Sequence, residues 1–138
     1  MANSETTSLS KHIFTLPKSE HLCSEKEIGE LFTYGTSFIK YPLRIIFLES
    51  TTPNIQILTS VPKKRFKHAV DRNRIKRLIR EAYRLNKHII DSCKELKLNI
   101  AFVYIDTKLP TFEQVQKAVV AALLKIDKHY HPIVENEQ

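Results

Sequence analysis

Glycine is nearly missing from this 138-residue sequence: Gly29 and Gly35 are the only two. A loop that wraps a nucleotide phosphate needs several backbone positions without a Cβ, so a glycine-rich phosphate site is excluded. Cysteine is as scarce. Cys23 and Cys93 stand apart, with neither CxxC nor Cys/His metal spacing, which excludes a zinc-finger pattern and a disulfide framework. Both are expected to be free thiols in a reducing compartment, and the chain is read as cytoplasmic. No apolar run approaches the ~18 residues of a membrane span. The opening MANSETTSLSKH lacks the apolar stretch of a secretory signal. Tryptophan is absent, so seven phenylalanines and five tyrosines supply the large rings.

What is present is basic charge, and it is concentrated. The net charge is +7, from 22 basic and 15 acidic residues. Eleven of the basic residues fall between Lys63 and Lys87, against only Asp71 and Glu81, a local net of +9. The rest of the chain nets −2. One patch therefore carries the whole excess, which points to a polyanionic partner at that patch. Hydrophobic residues at 42% and charged residues at 27% are an ordinary globular mixture, and the length suits one domain.

Periodicity gives the order α-β-β-β-α-β-α. A short helix is expected from a Ser24…Glu27 capping box, with Ile28, Leu31 and Phe32 on one face and Gly35 as its stop. Thr36–Ile39, Leu43–Leu48 and Ile55–Val61 read as strands, with Thr51-Thr52-Pro53-Asn54 turning between the last two. After the basic loop Pro62–His68, Asp71 starts, or sits in the first turn of, a long helix reaching about His88. Its apolar stripe is Ile75, Leu78, Ile79, Ala82 and Leu85, continued by Ile89. Leu98–Ile105 is a nearly unbroken apolar run, as in a strand buried on both faces. Thr111…Gln114 caps a last helix that buries Val115, Ala118, Val119, Ala122, Leu123 and Ile126. Residues 1–12 and 130–138 are expected to be flexible tails around a domain spanning 13–129.

The long helix is where composition becomes chemistry. With Arg72 at zero on a helical wheel, Lys76, Arg80, Asn73, Arg84 and Arg77 fall between about 40° and 140°. The apolar stripe falls between about 220° and 340°, so the helix is expected to pack one side and present a cation column on the other. Basic helix faces are commonly just solvated surface. Here, however, like charges repel across consecutive turns, which costs folding free energy unless a polyanion neutralises them. Guanidinium forks match phosphate oxygens in pairs, so the surface suits a nucleic-acid backbone better than a base code. Charge alone does not separate RNA from DNA.

The run Ala69-Val70-Asp71-Arg72-Asn73-Arg74-Ile75-Lys76-Arg77-Leu78-Ile79-Arg80-Glu81-Ala82-Tyr83-Arg84, preceded by Lys63-Lys64, resembles the signature of the bacterial ribonuclease P protein subunit. That family's hallmark is an R-N-R-x-K-R-x-x-R helix after a V-x-K-K strand end. The stretch from Phe14 to Leu22 and the helix ending Leu31-Phe32-Thr33-Tyr34-Gly35 are similar to the family as well. The resemblance spans about residues 13 to 127. It implies an α/β single domain of the α+β two-layer kind, with a four-stranded mixed sheet and a left-handed βαβ crossover.

The resemblance also implies that Lys63, Lys64, Arg65, Lys67, Arg72, Asn73, Arg74, Lys76, Arg77, Arg80 and Arg84 face a catalytic RNA subunit. A cleft between the first helix and the sheet would take the 5′ leader of precursor tRNA. Ile28 and Phe32 stand at the helix positions where the family tends to place aromatics, and Tyr34, Tyr41 and Phe47 are further candidates to line the cleft. Catalysis would belong to the RNA and its Mg²⁺ ions, with no catalytic residue and no metal or cofactor held by the protein alone. Two departures stand out. The loop Lys63–Ala69 is one residue longer than the usual pattern, with Phe66 near the usual glycine, and Pro62 replaces a common serine. The alternatives are a ribosomal or other structural RNA-binding protein, and a metal-dependent nuclease, which would need clustered carboxylates that the sequence does not show. His129-x-His131 is the one close histidine pair, and two ligands at a chain end do not make a metal site.

Overall fold

A computed structural model describes residues 16–51 and 54–131. The expected tails, residue Phe14, Thr52 and Pro53 lie, wholly or in part, outside the described residues. The chain forms α1 (Glu25–Tyr34), β1 (Thr36–Lys40), β2 (Leu43–Glu49), β3 (Gln56–Ser60), α2 (Ala69–Asn86), β4 (Leu98–Tyr104) and α3 (Phe112–Tyr130). A short 3₁₀ turn, Lys18–Glu20, precedes α1, and a 3₁₀ segment, Lys87–Leu96, follows α2 with a break at Ile90 (φ −106°, ψ 22°). The expected element order is observed.

The four strands form one mixed sheet in the order β1-β2-β4-β3. β1 and β2 are antiparallel, as are β2 and β4, while β3 and β4 run parallel and are joined through α2. β4 lies in the middle, and six of its seven residues are buried. That is why its sequence is apolar without alternation. Because side chains alternate across a strand, Leu43, Ile45, Phe47, Ile57, Ile100 and Phe102 point to one face. There they meet Ile75, Ile79, Ala82 and Tyr83 of α2 and the buried stripe of α3 in one large core. On the other face Ile46 and Ala101 meet Leu22 and Leu31 in a smaller core under α1. The helices thus form one full layer, with α1 covering part of the opposite face.

Two local signals are realised in different ways. On α3 the capping box is complete, with Thr111 and Gln114 each bonding the other's backbone N–H. On α1 only half of it forms. Ser24 Oγ accepts from the Glu27 N–H at 3.4 Å, but the Glu27 carboxylate accepts from Ser50 Oγ at 2.8 Å and Asn99 Nδ2 at 3.5 Å. Glu27 therefore ties α1 to the sheet instead of closing its own cap. Gly35 does stop α1, though at φ −69° it needs no left-handed backbone. Its role is clearance: a Cβ would lie 2.6 Å from Ile46 Cγ2 and would also strike the Leu31 carbonyl.

Candidate nucleic-acid interface

The packing of α2 sets where its cations go. Ile75, Ile79, Ala82 and Tyr83 are its buried residues. Tyr83, at about 20° on the wheel, turns the buried face towards the basic arc. The row Arg72, Lys76, Arg80, Arg84 consequently runs half-buried along the flank of α2, while Asn73, Arg74 and Arg77 are exposed. This corrects the expectation of a column pointing straight outward. The row lies beside the edge strand β3. Arg80 Nη1 donates to Thr59 Oγ1 at 3.5 Å, and Lys76 and Arg80 share a recess of about 180 Å³ with His21, Leu22, Cys23, Ile57, Leu58 and Thr59. The wheel did not show His21 as a neighbour, because it enters through a bridge between His21 and Ile57.

The cations are not equivalent. Arg72 Nη1 donates to the carbonyls of Phe66 and Lys67, both at 2.8 Å, and so fixes the loop before the helix. Arg84 is ion-paired with Glu81 on its own helix. Its guanidinium holds the Glu81 carboxyl below the usual carboxylate range, and Glu81 in turn keeps Arg84 charged. Lys87 pairs with Glu20 at 3.1 Å, which ties the end of α2 to the 3₁₀ turn. Lys63, Lys64, Arg65 and Lys67 are exposed on a turn in which Arg65 N–H donates to the Pro62 carbonyl at 3.1 Å.

Phe66 is the buried residue of the loop before α2. Its ring is 8% exposed, joins the main core and lies 5.8 Å from the Tyr104 ring. It anchors the loop from below, so the lysines and arginines around it are held at the surface. Loop and column together form one cationic surface, its backbone held by the Phe66 anchor and the Arg72 hydrogen bonds.

The candidate cleft residues separate into two groups. Ile28 packs partly buried against the small core, and Phe32 (46% exposed) and Tyr34 (74%) stand free on α1. Phe47 is a correction: it points to the opposite face and is 3% exposed, with edge-on contacts to Phe38, His129 and Tyr130. A ring in that position cannot stack on a base beside α1. Tyr41 lines a separate recess of about 380 Å³ with Lys40, Pro42, Asp106, Gln114, Lys117 and Ala118. A hydrogen bond to Asp106 raises its hydroxyl pKa. The structure does not bring Tyr41 together with Phe32. It does add Arg44, an exposed residue whose strand position faces the α1 side and whose Nε donates to Ser37 Oγ at 3.0 Å. A lone charge inside the apolar strand LRIIFL was the signal available for it.

Among the described residues one group has metal-binding donors, Cys93, Asp127 and His131. A thiol, one carboxylate and an imidazole do not suit Mg²⁺, which takes oxygen ligands in an octahedron. No carboxylate cluster for hydrolytic metal chemistry is present among those residues. No described helix is long and apolar enough to cross a membrane.

Comparison with known proteins shows the family. The family model described as Ribonuclease P matches residues 16–127. A ribonuclease P protein component from Porphyromonas gingivalis is 42% identical over 119 residues, covering 82% of this chain and 87% of its own. One from Clostridioides difficile is 31% identical over 111 residues, covering 80% and 94%. The solved structure of the Staphylococcus aureus RNase P protein superimposes with a TM-score of 0.65 at 26% identity, covering 80% of this chain and 97% of its own. The Arg-rich α2 and its loop lie wholly inside the matched residues, and the chain belongs to the ribonuclease P protein family.

Proposed function

We propose that the protein binds the catalytic RNA of ribonuclease P through α2 and the loop before it, and helps that RNA remove the 5′ leader from precursor tRNA. The observation that carries this reading is the prearranged cation surface at Lys63–Arg84 inside a family match. Exposed guanidinium groups on a fixed helix meet phosphate oxygens without first ordering a chain, so little binding free energy is lost to entropy. The chain supplies position and charge. The bond cleavage is assigned to the RNA with Mg²⁺; the one donor group among the described residues, Cys93, Asp127 and His131, does not suit that ion.

The unequal cations give a graded test. Arg77→Ala removes an exposed charge and should reduce the log–log slope of RNA affinity against salt by about one unit. Arg84→Ala should change it less, because Glu81 already neutralises part of that charge. Equal slopes for wild type and Arg77→Ala would remove Arg77 from the phosphate contacts.

The leader is assigned to the α1 side of the sheet, where Phe32 offers an uncovered ring and Arg44 a nearby charge. Stacking of an unpaired base on an aromatic ring contributes about 1–3 kcal/mol. Phe32→Ala should therefore weaken binding of precursor tRNA by roughly fivefold or more while leaving mature tRNA unchanged. Measured affinities of the reconstituted enzyme for both RNAs decide it, and an equal loss for both would place Phe32 outside the leader path.

A further inference from the structure

The kink after α2 brings together three residues that have no sequence motif in common. Cys93 lies in the 3₁₀ segment, and Asp127 and His131 lie one turn apart at the end of α3. Their donor atoms are all within 4.8 Å of one another, and Cys93 Sγ stands 4.0 Å from Asp127 Oδ1. We propose that Cys93, Asp127 and His131 form a site for zinc or a similar borderline divalent cation, clipping the end of α3 to the segment that follows the Arg-rich helix.

The chemistry of the donor set selects the ion. A thiol sulfur, an imidazole nitrogen and a carboxylate oxygen are the three ligand types of tetrahedral zinc, and the thiolate disfavours Mg²⁺ and Ca²⁺. With bonds of about 2.0–2.3 Å, tetrahedral ligands stand roughly 3.3–3.7 Å apart. Closing the present spacing by about 1 Å is within the reach of side-chain rotation at Asp127 and His131, which are half-buried and exposed. The fourth position would be held by water. Cys93 is fully buried and cannot move far, so it fixes the site to the core. Were Cys93 only a small core side chain, apolar neighbours would serve it; instead it faces a carboxylate and an imidazole.

His129, the other member of the histidine pair, does not take part. Its ring packs on Phe47 at 5.1 Å and on Tyr130 at 4.8 Å. Binding would replace the thiol proton by the metal, releasing that proton to solvent. The consequence is mechanical, since the 3₁₀ segment packs on both α2 and α3 and a clip there would hold the C-terminal end of α2 in place.

The test is a Co²⁺ titration of the metal-stripped full chain, read by the thiolate-to-Co²⁺ charge-transfer absorbance and by displacement with Zn²⁺. One equivalent should bind, and Zn²⁺ should raise the melting temperature. His131→Ala, an exposed substitution that leaves the core intact, and Asp127→Asn should each weaken binding at least about tenfold, as loss of even an outer partner of a metal site does. Cys93→Ser should abolish the absorbance and Cys23→Ser should keep it. Absence of the band from the wild-type protein overturns the proposal, as does unchanged affinity in both His131→Ala and Asp127→Asn, or a band that depends on Cys23 instead of Cys93.

Discussion

Replacing Lys76, Arg77 and Arg80 together by alanine is expected to cut affinity for the catalytic RNA by about two to three orders of magnitude at ~0.1 M salt. Each phosphate contact releases close to one counterion, which at that salt is worth a little under tenfold in affinity. Three neighbouring contacts on one rigid face multiply. The slope of log affinity against log salt should fall by roughly 2.7 units in the same experiment. The fold should survive, because Arg77 is exposed and the only bond described from the other two is the long one from Arg80 to Thr59. Removing like charges from consecutive turns also relieves repulsion, so thermal stability of the free protein should hold or rise. A loss of affinity with an unchanged slope would mean that these residues shape the helix instead of meeting phosphates.

Phe66→Ala is expected to have the largest effect on stability of any substitution in the loop, about 3 kcal/mol. The ring is almost fully buried against Tyr104, and its removal leaves a cavity at the edge of the main core. The carbonyls of Phe66 and Lys67 would lose their fixed places, and with them the two bonds that hold Arg72. RNA affinity should then fall with little change in the salt slope, the opposite pattern to the triple substitution. Urea unfolding measures the first effect. Lys64→Ala, an exposed control two residues away, should stay within about 0.5 kcal/mol of wild type. If Phe66→Ala unfolds at the same urea concentration as that control, the ring is not an anchor.

These two substitutions divide what could be read from sequence from what could not. The register of α2 was legible because apolar residues recur at the helical period, and α3 announced itself through its capping box and a clean stripe. β4 was legible as a doubly buried strand for the same reason. Phe66 was not, since a lone aromatic in a basic loop has no period and its meaning comes from Tyr104, far away in the chain. Tyr83 was not legible because its position on the wheel borders the basic arc, and its burial comes from packing in the main core beside the Phe102 ring of β4. The face of Phe47 was not legible because Ile45, Ile46 and Phe47 are all apolar, so β2 shows no alternation there to say which face each takes. Glu27 turned to Ser50 and Asn99 because a partner on the sheet competes with the local cap. In each case a tertiary contact overrode a local signal.

In the proposed function the protein acts through the catalytic RNA, as a positioned surface of cations with a separate place for the leader. That role is tested most directly by adding the protein to the ribonuclease P RNA at limiting Mg²⁺ and following cleavage of precursor tRNA. The expected result is no cleavage by the protein alone, slow cleavage by the RNA alone, and a marked enhancement when both are present that the Lys76/Arg77/Arg80 triple variant loses. Absence of enhancement by the wild-type protein, or cleavage of precursor tRNA by the protein without RNA, would contradict it.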